Sequence, residues 1–507
     1  MRKIISDEMK AGLGSGRRRF LTRLLVTASY SSIVTLLTPF QVAAKAKSLD
    51  AIEKLRTNIK GAVLVRDDNE YEAHRLALVW QMLKPRRYPS VIVQVESVDE
   101  VIRTIKFASE NKYQVSVRCG GHNYLATFLA DGVLVLDISR LHSVDIDPLQ
   151  HTARIGPGVR GVSLIHELAK HDLSFPVAHC GTVPLSGFLL GGGMGWNGEA
   201  WGGLACMNIE ELEIVTANGE LVKANASMNA DLYWAARGAG PCFFGVVTSF
   251  TIKVYDKPAS VMSSIYIWPV EYAEEICAWA EKKSRQMPEY VEPWFLLAAI
   301  PAAENGSDEY RSVCMVIARA YATDEQTAQA ALEPLQTAET DLSASLIDKF
   351  EFQQTSIPSM IAELEPETAP WNYWAADNFY TDEPAAPLAE KLINHMQTMP
   401  SHKSSIVFIF RPYSQEALKT ALPAYGKTFI GNYNIWTETE NVQANIDWGI
   451  QTMKLIDTAA KGHYINETNY AAKSSRIEKS FNKSGWQKLS SLHEKYDSKR
   501  LFHTLLN

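Results

Sequence analysis

Short apolar runs alternate with amphipathic segments between residues 86 and 255, a pattern typical of layered α/β structure. The β-branched run 91–95 predicts a strand. Ser97 and Glu100 then form a capping box that predicts a helix reaching about Asn111. Residues 48–85 are also expected to be helical. Further elements follow in order: strands at 115–118 and 132–138, a hairpin at 144–155, a helix at 159–171, a hairpin turning at Asn218-Gly219, a helix at 229–236, and a strand at 245–255.

The pattern changes after residue 255. Apolar runs such as 265–268 and 406–410 alternate with long helical segments, which indicates a second domain of α+β type over 256–455. The last segment, 456–507, contains a strand-like Tyr464-Ile465-Asn466 and a predicted helix at 485–496.

The first 46 residues have the three parts of an export signal. A basic cluster, Arg17-Arg18-Arg19-Phe20-Leu21, precedes a modestly apolar run and then small residues ending Ala44-Lys45-Ala46. The Arg-Arg-x-Phe-Leu pattern is similar to a twin-arginine signal. The alternative is a membrane anchor, but the run is short for a span of about 20 residues and contains Thr, Ser and Pro. We therefore expect a bacterial protein exported by the twin-arginine machinery to the periplasm or beyond, without stable membrane insertion after cleavage.

Charge and cysteine spacing exclude some functions. Residues 47–507 carry 42 basic and 55 acidic side chains, a net charge of −13 with no long basic stripe, which argues against nucleic acid and anionic lipid surfaces. The six cysteines form no C-x-x-C pair, so no metal site is expected.

Two glycine-rich stretches could carry chemistry. In the first, Arg118-Cys119-Gly120-Gly121-His122 directly follows a predicted strand, and its exposed N–H groups would form a nest for a pyrophosphate. Taken alone, this stretch slightly favours the alternative of a turn with an incidental surface histidine. The second runs from Cys180 to Gly195 and contains six glycines, which suits close backbone packing on a flat ligand.

A G-x-G-x-x-G sequence at 193–198 does not predict a dinucleotide site of Rossmann type. Such a site needs a helix directly after the glycines, and Glu199-Ala200-Trp201-Gly202-Gly203 is a poor helix start.

The order of these motifs resembles the flavin-binding domain of the vanillyl-alcohol-oxidase superfamily (PCMH type), and within it the berberine-bridge-enzyme-like oxidases. The resemblance rests on 118–122, Gly156-Pro157-Gly158, Cys180 with 191–193, and the stretch from Trp234 to Thr248, in that order. Tyr464-Ile465-Asn466 and Lys495-Tyr496-Asp497 match the family's ending, while the middle of the chain matches only loosely.

The resemblance implies an α+β fold: an α/β FAD-binding domain of two subdomains, and a substrate domain with a large antiparallel sheet backed by helices. The expected boundaries are 1–46 for the signal, 47–255 for the FAD-binding domain, 256–455 for the substrate domain and 456–507 for a returning C-terminal segment. It also implies FAD attached to His122 at the 8-methyl carbon and to Cys180 at carbon 6. The other residues expected at the cofactor are Arg118, Cys119, Gly120, Gly121, Asn123, Tyr124, Gly191, Gly192, Gly193, Gly245, Val246, Val247 and Asn466.

The implied reaction is hydride removal from a C–H next to OH or NH of a sugar-like or secondary-metabolite substrate, followed by reduction of dioxygen to hydrogen peroxide. Tyr464 is the first choice for the catalytic base and Tyr413, beside Arg411, the second. Either would need a cationic neighbour, because the ordinary pKa of tyrosine is about 10. Two alternatives stay open: a flavin dehydrogenase with another electron acceptor, and a periplasmic ligand-binding protein without cofactor.

Overall fold

The computed structural model describes residues 50–302, 309–337, 340–410, 420–422, 426–471 and 474–506. The expected signal, 1–46, and the second candidate base, Tyr413, lie outside these residues. Residues 53–507 form one compact unit; the other unit, 1–52, is described only from residue 50.

A four-stranded sheet comes first in the chain. Its strands are β1 (Ala62–Val65), β2 (Val91–Gln94), β3 (Val115–Arg118) and β4 (Leu134–Asp137), in the order β1-β2-β4-β3. The last three are parallel, while β1 pairs antiparallel with β2. The helical expectation for 48–85 is therefore wrong at 62–65, where a β-branched run forms the outer strand. A helix covers only Tyr71–Ala77 of the following residues.

The capping prediction is confirmed. Ser97 accepts a hydrogen bond from the Glu100 backbone N–H, and the helix runs over Val98–Glu110. This helix is the crossover between two parallel strands, which places the end of β3 at the carboxyl edge of the sheet.

A second sheet has five strands: Val144–Asp147 (β5), Thr152–Ile155 (β6), Ile209–Val215 (β8), Leu221–Asn225 (β9) and Val246–Lys253 (β10). They are antiparallel and lie in the order β5-β6-β10-β8-β9. Both predicted hairpins are confirmed, including the one that turns at Asn218-Gly219. Hairpins join β5 to β6 and β8 to β9, and all neighbouring strands of this sheet are antiparallel. The sheet therefore does not continue the parallel α/β pattern of the first one. A small ribbon pairs β7 (Leu173–Ser174) with β11 (Tyr255–Asp256).

The largest sheet has seven antiparallel strands in the order β15-β12-β14-β13-β17-β18-β16. Its strands are Ser260–Pro269 (β12), Val291–Pro301 (β13), Tyr310–Ala322 (β14), Asp348–Thr355 (β15), Tyr373–Thr381 (β16), Ser405–Phe410 (β17) and Thr428–Trp436 (β18). The helices Ala273–Ser284, Glu325–Leu332 and Val442–Ile456 pack on one face, and with that face they bury a large hydrophobic core. The α+β fold class is confirmed.

The C-terminal segment crosses back to the first sheet. Leu501 and His503 exchange backbone hydrogen bonds with Val115. Tyr464–Asn466 is not a strand, in contrast to the prediction: the side chain of Asn378 on β16 bonds the backbone N–H and C=O of Tyr464 and so takes the place of a neighbouring strand. The predicted last helix is confirmed at Lys483–Tyr496.

The remaining helices are short. They cover Gly161–Ala169, Leu185–Leu190, Ala230–Ala235, Thr340–Ala344, Ile357–Glu363, Ala386–Glu390, Ile393–Met396 and Arg476–Lys479. Within the described ranges, none of the helices is both long and apolar enough to cross a membrane.

Candidate functional site

A cavity of about 450 Å³ begins at the carboxyl end of β3. It is lined by the loop 118–124, the turn and helix 183–190, the start of β10, and the C-terminal residues 502–505. One side of the seven-stranded sheet forms its opposite wall. Its volume is in the range of small-molecule sites, which are typically found beyond the carboxyl ends of parallel strands.

The loop after β3 is fixed by Arg118. The guanidinium donates to the Leu78 carbonyl at 3.0 Å and to Asp137 Oδ1 on β4 at 3.1 Å. Both side chains are nearly buried, so the ion pair holds two parallel strand ends together.

The two glycines of this loop allow close backbone contacts. A Cβ on Gly120 would lie 2.2 Å from the Pro184 ring, and one on Gly121 would lie 2.0 Å from the Leu78 carbonyl oxygen. Gly121 also has a φ of +73°, which other residues adopt only with strain. The turn therefore requires glycine, and it presents its backbone to the cavity.

His122 lies against an aromatic ring and a hydroxyl. Its imidazole stacks on Trp80 with ring centroids 4.4 Å apart, and its Nε2 is 3.3 Å from the Thr182 hydroxyl. Burial, with the nearby Arg118 charge, lowers the pKa of His122 to about 3. The ring is therefore neutral, with a nitrogen lone pair available as a nucleophile.

The second expected attachment residue lies on the same hydroxyl. The Cys180 Sγ is 3.2 Å from the Thr182 Oγ1, so that one threonine bridges Cys180 and His122. Sixty residues of chain separate His122 from Thr182, and the fold brings them together. The Cys119 thiol, in the loop after β3, donates to the Pro157 carbonyl, and burial raises its pKa to about 12.

The glycine triplet 191–193 supports the site from behind. A Cβ on Gly191 would lie 1.9 Å from Asn466 Oδ1. The Asn466 amide donates to the Gly187 carbonyl and to the Tyr464 hydroxyl, and that hydroxyl accepts the backbone N–H groups of Gly193 and Met194. The triplet and the returning C-terminal segment thus form one hydrogen-bonded unit.

These contacts bear on Tyr464 as a base. Its hydroxyl is buried, and burial, together with the nearby Glu467 carboxylate, raises its pKa above the ordinary value. Among the groups that shift this pKa most there is no cation, so the cationic neighbour that a tyrosine base needs is missing in the described part of the site. The hydroxyl instead anchors the backbone at 193–194.

The seven-stranded sheet presents alternate residues to the cavity. Trp294 and Leu296 on β13 line it, as do Ser405, Val407 and Ile409 on β17, whereas the residues between them lie in the core on the helix-covered face. Side chains along a strand alternate between the two faces of the sheet, and most of those that face the cavity are apolar.

Most of the residues expected at the cofactor line the cavity: Arg118, Cys119, Gly120, Gly121, His122, Asn123, Tyr124, Cys180, Gly245, Val247 and Asn466, together with Tyr464. Gly191, Gly192 and Gly193 lie behind this lining, and so does Val246, which is fully buried because alternate residues of β10 face opposite sides. Tyr413 lies outside the described residues.

The residues at the site that were not predicted from the sequence include Trp80, Thr182, Tyr433 and Glu467. The Tyr433 hydroxyl donates to Glu467 Oε2 at 2.7 Å. Burial raises the pKa of Glu467 to about 7. Glu467 directly follows Tyr464-Ile465-Asn466, a segment that the sequence did predict to lie at the site. Its contact with Tyr433 could not be predicted, because one sequence does not show which distant residues meet. Among the described residues no group of His, Cys, Asp and Glu could hold a metal ion.

Comparisons with known proteins agree with this geometry. Residues 89–225 match the family of FAD binding domains. The FAD-linked oxidoreductase nodO of Hypoxylon pulicicidum is 34% identical over 44% of this chain and 50% of its own length. The (R)-6-hydroxynicotine oxidase of Paenarthrobacter nicotinovorans is 34% identical over 43% of this chain and 46% of its own. The chain thus spans about half the length of these two curated relatives.

The fold match is broader. The crystal structure of 6-hydroxy-D-nicotine oxidase from Arthrobacter nicotinovorans superposes with a TM-score of 0.76, at 21% identity, over 89% of this chain and 98% of that one. The two chains therefore share a fold over most of their length.

Proposed function

We propose that this chain is an FAD-dependent oxidoreductase of the vanillyl-alcohol-oxidase type, which removes hydride from a C–H next to a hydroxyl or amine of a small molecule. The observation that carries the proposal is the convergence of the glycine loop 118–122, Cys180 and Asn466 on one cavity; the loop and Cys180 lie within the region that matches FAD binding domains. The names of the relatives support the same class of activity.

The residues present fit FAD. The backbone of 119–122 lines the cavity, and a Cβ on Gly187, which also lines it, would meet no atom within 4 Å. The cavity therefore has room for phosphate and a flat ring next to exposed backbone. The C-terminal residues 502–505 close the same region. When bound, FAD accepts a hydride, and the protein supplies position and electrostatics.

Two covalent attachments are part of the proposal. The neutral His122 imidazole would be the nucleophile for the 8-methyl carbon, and the Cys180 sulfur would be the nucleophile for carbon 6. Each attachment would release two electrons and two protons, which dioxygen would accept to give hydrogen peroxide. Thr182 contacts both side chains, and this shared contact supports attachment at two points.

Denaturation followed by mass measurement tests the attachments. We expect the flavin mass to stay with the polypeptide in wild type and in the single variants His122→Ala and Cys180→Ala, and to be lost in the double variant. Thr182→Val, which removes the bridging hydroxyl and retains the shape, should slow the attachment. Complete release of flavin from wild type would contradict covalent attachment, and a colourless protein after cytoplasmic expression would contradict FAD binding altogether.

The wall of the cavity bears on the substrate. Trp294, Leu296, Val407 and Ile409 offer apolar surface and few hydrogen-bond partners, which favours a secondary metabolite with an apolar ring system over a sugar. We propose dioxygen as the final electron acceptor. One peroxide per substrate consumed under air is the expected stoichiometry, and turnover that needs an added acceptor would contradict it.

We also propose export through the twin-arginine machinery, on the basis of Arg17-Arg18-Arg19-Phe20-Leu21. Substituting Lys for Arg17, Arg18 and Arg19 together should retain the protein in the cytoplasm. Unchanged export of this variant would contradict the proposal.

A further inference from the structure

The Glu467 carboxyl lies at the wall of the cavity, and no cation among the residues that the structure describes forms an ion pair with it. The Tyr433 hydroxyl, from β18, donates to it at 2.7 Å, and both side chains line the cavity. The titratable groups that interact with Glu467 are Tyr433, Tyr124 from the loop after β3, Tyr464 from its own segment, and Tyr380 from β16. All four are neutral phenols at physiological pH, because burial raises their pKa values further.

A second buried carboxyl in the same region is paired in the usual way. Asp377 on β16 forms an ion pair with Arg476, and both side chains are buried. No described cation shifts the pKa of Glu467; burial raises it to about 7 and the Tyr433 hydrogen bond opposes the rise. An ionised carboxylate away from bulk water is costly unless a positive charge accompanies it. A ligand can supply that charge.

Aromatic rings surround the Glu467–Tyr433 pair. Trp374 contacts the Tyr433 ring edge to face at 6.4 Å, and Tyr124 stacks on Trp374 at 5.7 Å. Trp80 links this group to His122, because it packs on both Trp374 and the imidazole. Aromatic faces attract organic cations, and a carboxylate among them is the usual chemistry of an ammonium site.

We propose that Glu467, oriented by Tyr433, binds the protonated nitrogen of the substrate, so that the substrate is a secondary or tertiary amine with an apolar body rather than an alcohol. This inference rests on the proposed function for the oxidation, but the binding itself needs no turnover. A neutral alcohol brings no charge to Glu467, whereas an ammonium group gains a charge-assisted hydrogen bond. Trp374 and Tyr124 then surround the carbons next to the nitrogen.

The site links binding to pH. At a pH below the pKa of Glu467, the carboxyl is protonated and forms no ion pair with the ammonium group of the ligand. At a pH above this pKa, the carboxylate and the ammonium group form an ion pair. Amine affinity should therefore increase as the pH rises through about 7, and the affinity of a neutral ligand of the same shape should not change.

Equilibrium titration of the purified holoprotein with two probes tests the proposal. N-methylbenzylamine is a cation near neutrality, and benzyl methyl ether has nearly the same shape without charge. At about pH 8 we expect the amine to bind about tenfold more tightly than the ether, the ratio that a charge-assisted hydrogen bond provides. At about pH 6 the preference should fall severalfold.

Glu467→Gln retains the shape and the Tyr433 contact, and it should abolish both the preference and its pH dependence. Glu292→Gln is the matched control. Glu292 is half-buried like Glu467, accepts a tyrosine hydroxyl (Tyr321, 2.7 Å) and has its pKa raised to about 7, but it does not line the cavity. This variant should retain the full preference for the amine.

The proposal is overturned if wild type binds the two probes equally or shows no measurable binding of the amine. It is also overturned if the preference for the amine survives Glu467→Gln, or if Glu292→Gln loses that preference to the same extent. Flavin absorbance, recorded on the same samples, separates this result from the proposed function. Absence of flavin would contradict the proposed FAD-dependent activity. The ratio of amine to ether binding would still decide whether Glu467 binds a cation.

Discussion

Gly191 and Asn466 should be strongly coupled in stability. Gly191 caps the helix Leu185–Leu190 with a φ of −98°, an ordinary conformation for any residue, so a Gly191→Ala variant has no backbone strain. Its new Cβ would lie 1.9 Å from Asn466 Oδ1 and 2.3 Å from Asn466 Cγ. The asparagine side chain must therefore rotate away.

Rotation breaks the hydrogen bonds of the Asn466 amide. Its two N–H groups serve three acceptors, the carbonyls of Gly187 and Phe188 and the hydroxyl of Tyr464. At about 1 kcal/mol for each N–H, the loss is about 2 kcal/mol. Asn466→Ala removes the same bonds and should cost about the same. In the double variant nothing remains to clash, so the total cost should stay near 2 kcal/mol, and the coupling between the two positions is about 2 kcal/mol.

Urea unfolding followed by tryptophan fluorescence measures the four free energies of the cycle. Gly192→Ala is the control, because its φ of +116° imposes backbone strain and its Cβ would meet Leu422 and Leu204 rather than Asn466. Its cost should be the same with or without Asn466. The reasoning is refuted if the Gly191→Ala cost persists in full when Asn466 is already alanine.

Three further predictions concern the loop after β3. Arg118→Met leaves the Asp137 carboxylate buried without a cation and should cost about 3 kcal/mol of stability in urea unfolding, most of which Asp137→Leu should restore; a cost below about 1 kcal/mol would count against the ion pair. Because burial lowers the pKa of His122 to about 3, only the unfolded chain binds a proton there as the pH falls below about 6.5, and stability should decrease in that range. His122→Gln should flatten this part of a plot of unfolding midpoint against pH, and an unchanged slope would be evidence against a neutral buried ring. Trp80→Leu removes the face on which His122 stacks, and the ratio of protein-bound flavin to protein after denaturation should fall; an unchanged ratio would show that the stacking does not position the imidazole.

Local chemistry made part of the fold predictable. The capping box at Ser97, the Asn218-Gly219 turn and the β-branched runs act over a few residues, so their effect on the chain needs no tertiary context. The loop at 118–122 was predictable for the same reason, since two glycines after a strand can only be a sharp turn. The strand at 62–65 was missed because it is stabilised by pairing with 91–94, and a local pattern of apolar residues does not show such a distant contact.

The C-terminal segment shows where such reasoning stops. Tyr464-Ile465-Asn466 has the composition of a strand, but the Asn378 side chain on β16 occupies its backbone groups and holds it as a turn. An amide 86 residues away thus decides its conformation, and no local pattern contains that information. The same turn directs Glu467 toward Tyr433.

The role of Glu467 depends on the groups that surround it, and a sequence does not show them. A glutamate near the end of a chain is most often a solvated surface group with an ordinary pKa. Here four tyrosines from separate parts of the fold interact with the carboxyl group and bring no positive charge. No salt bridge with these groups offsets the cost of an ionised Glu467 carboxylate. A cationic ligand can therefore offset that cost when it binds. Tyr464, the residue first expected to take the proton, contributes to this environment by anchoring the backbone at Gly193 and Met194, and so fixes the turn from which Glu467 projects.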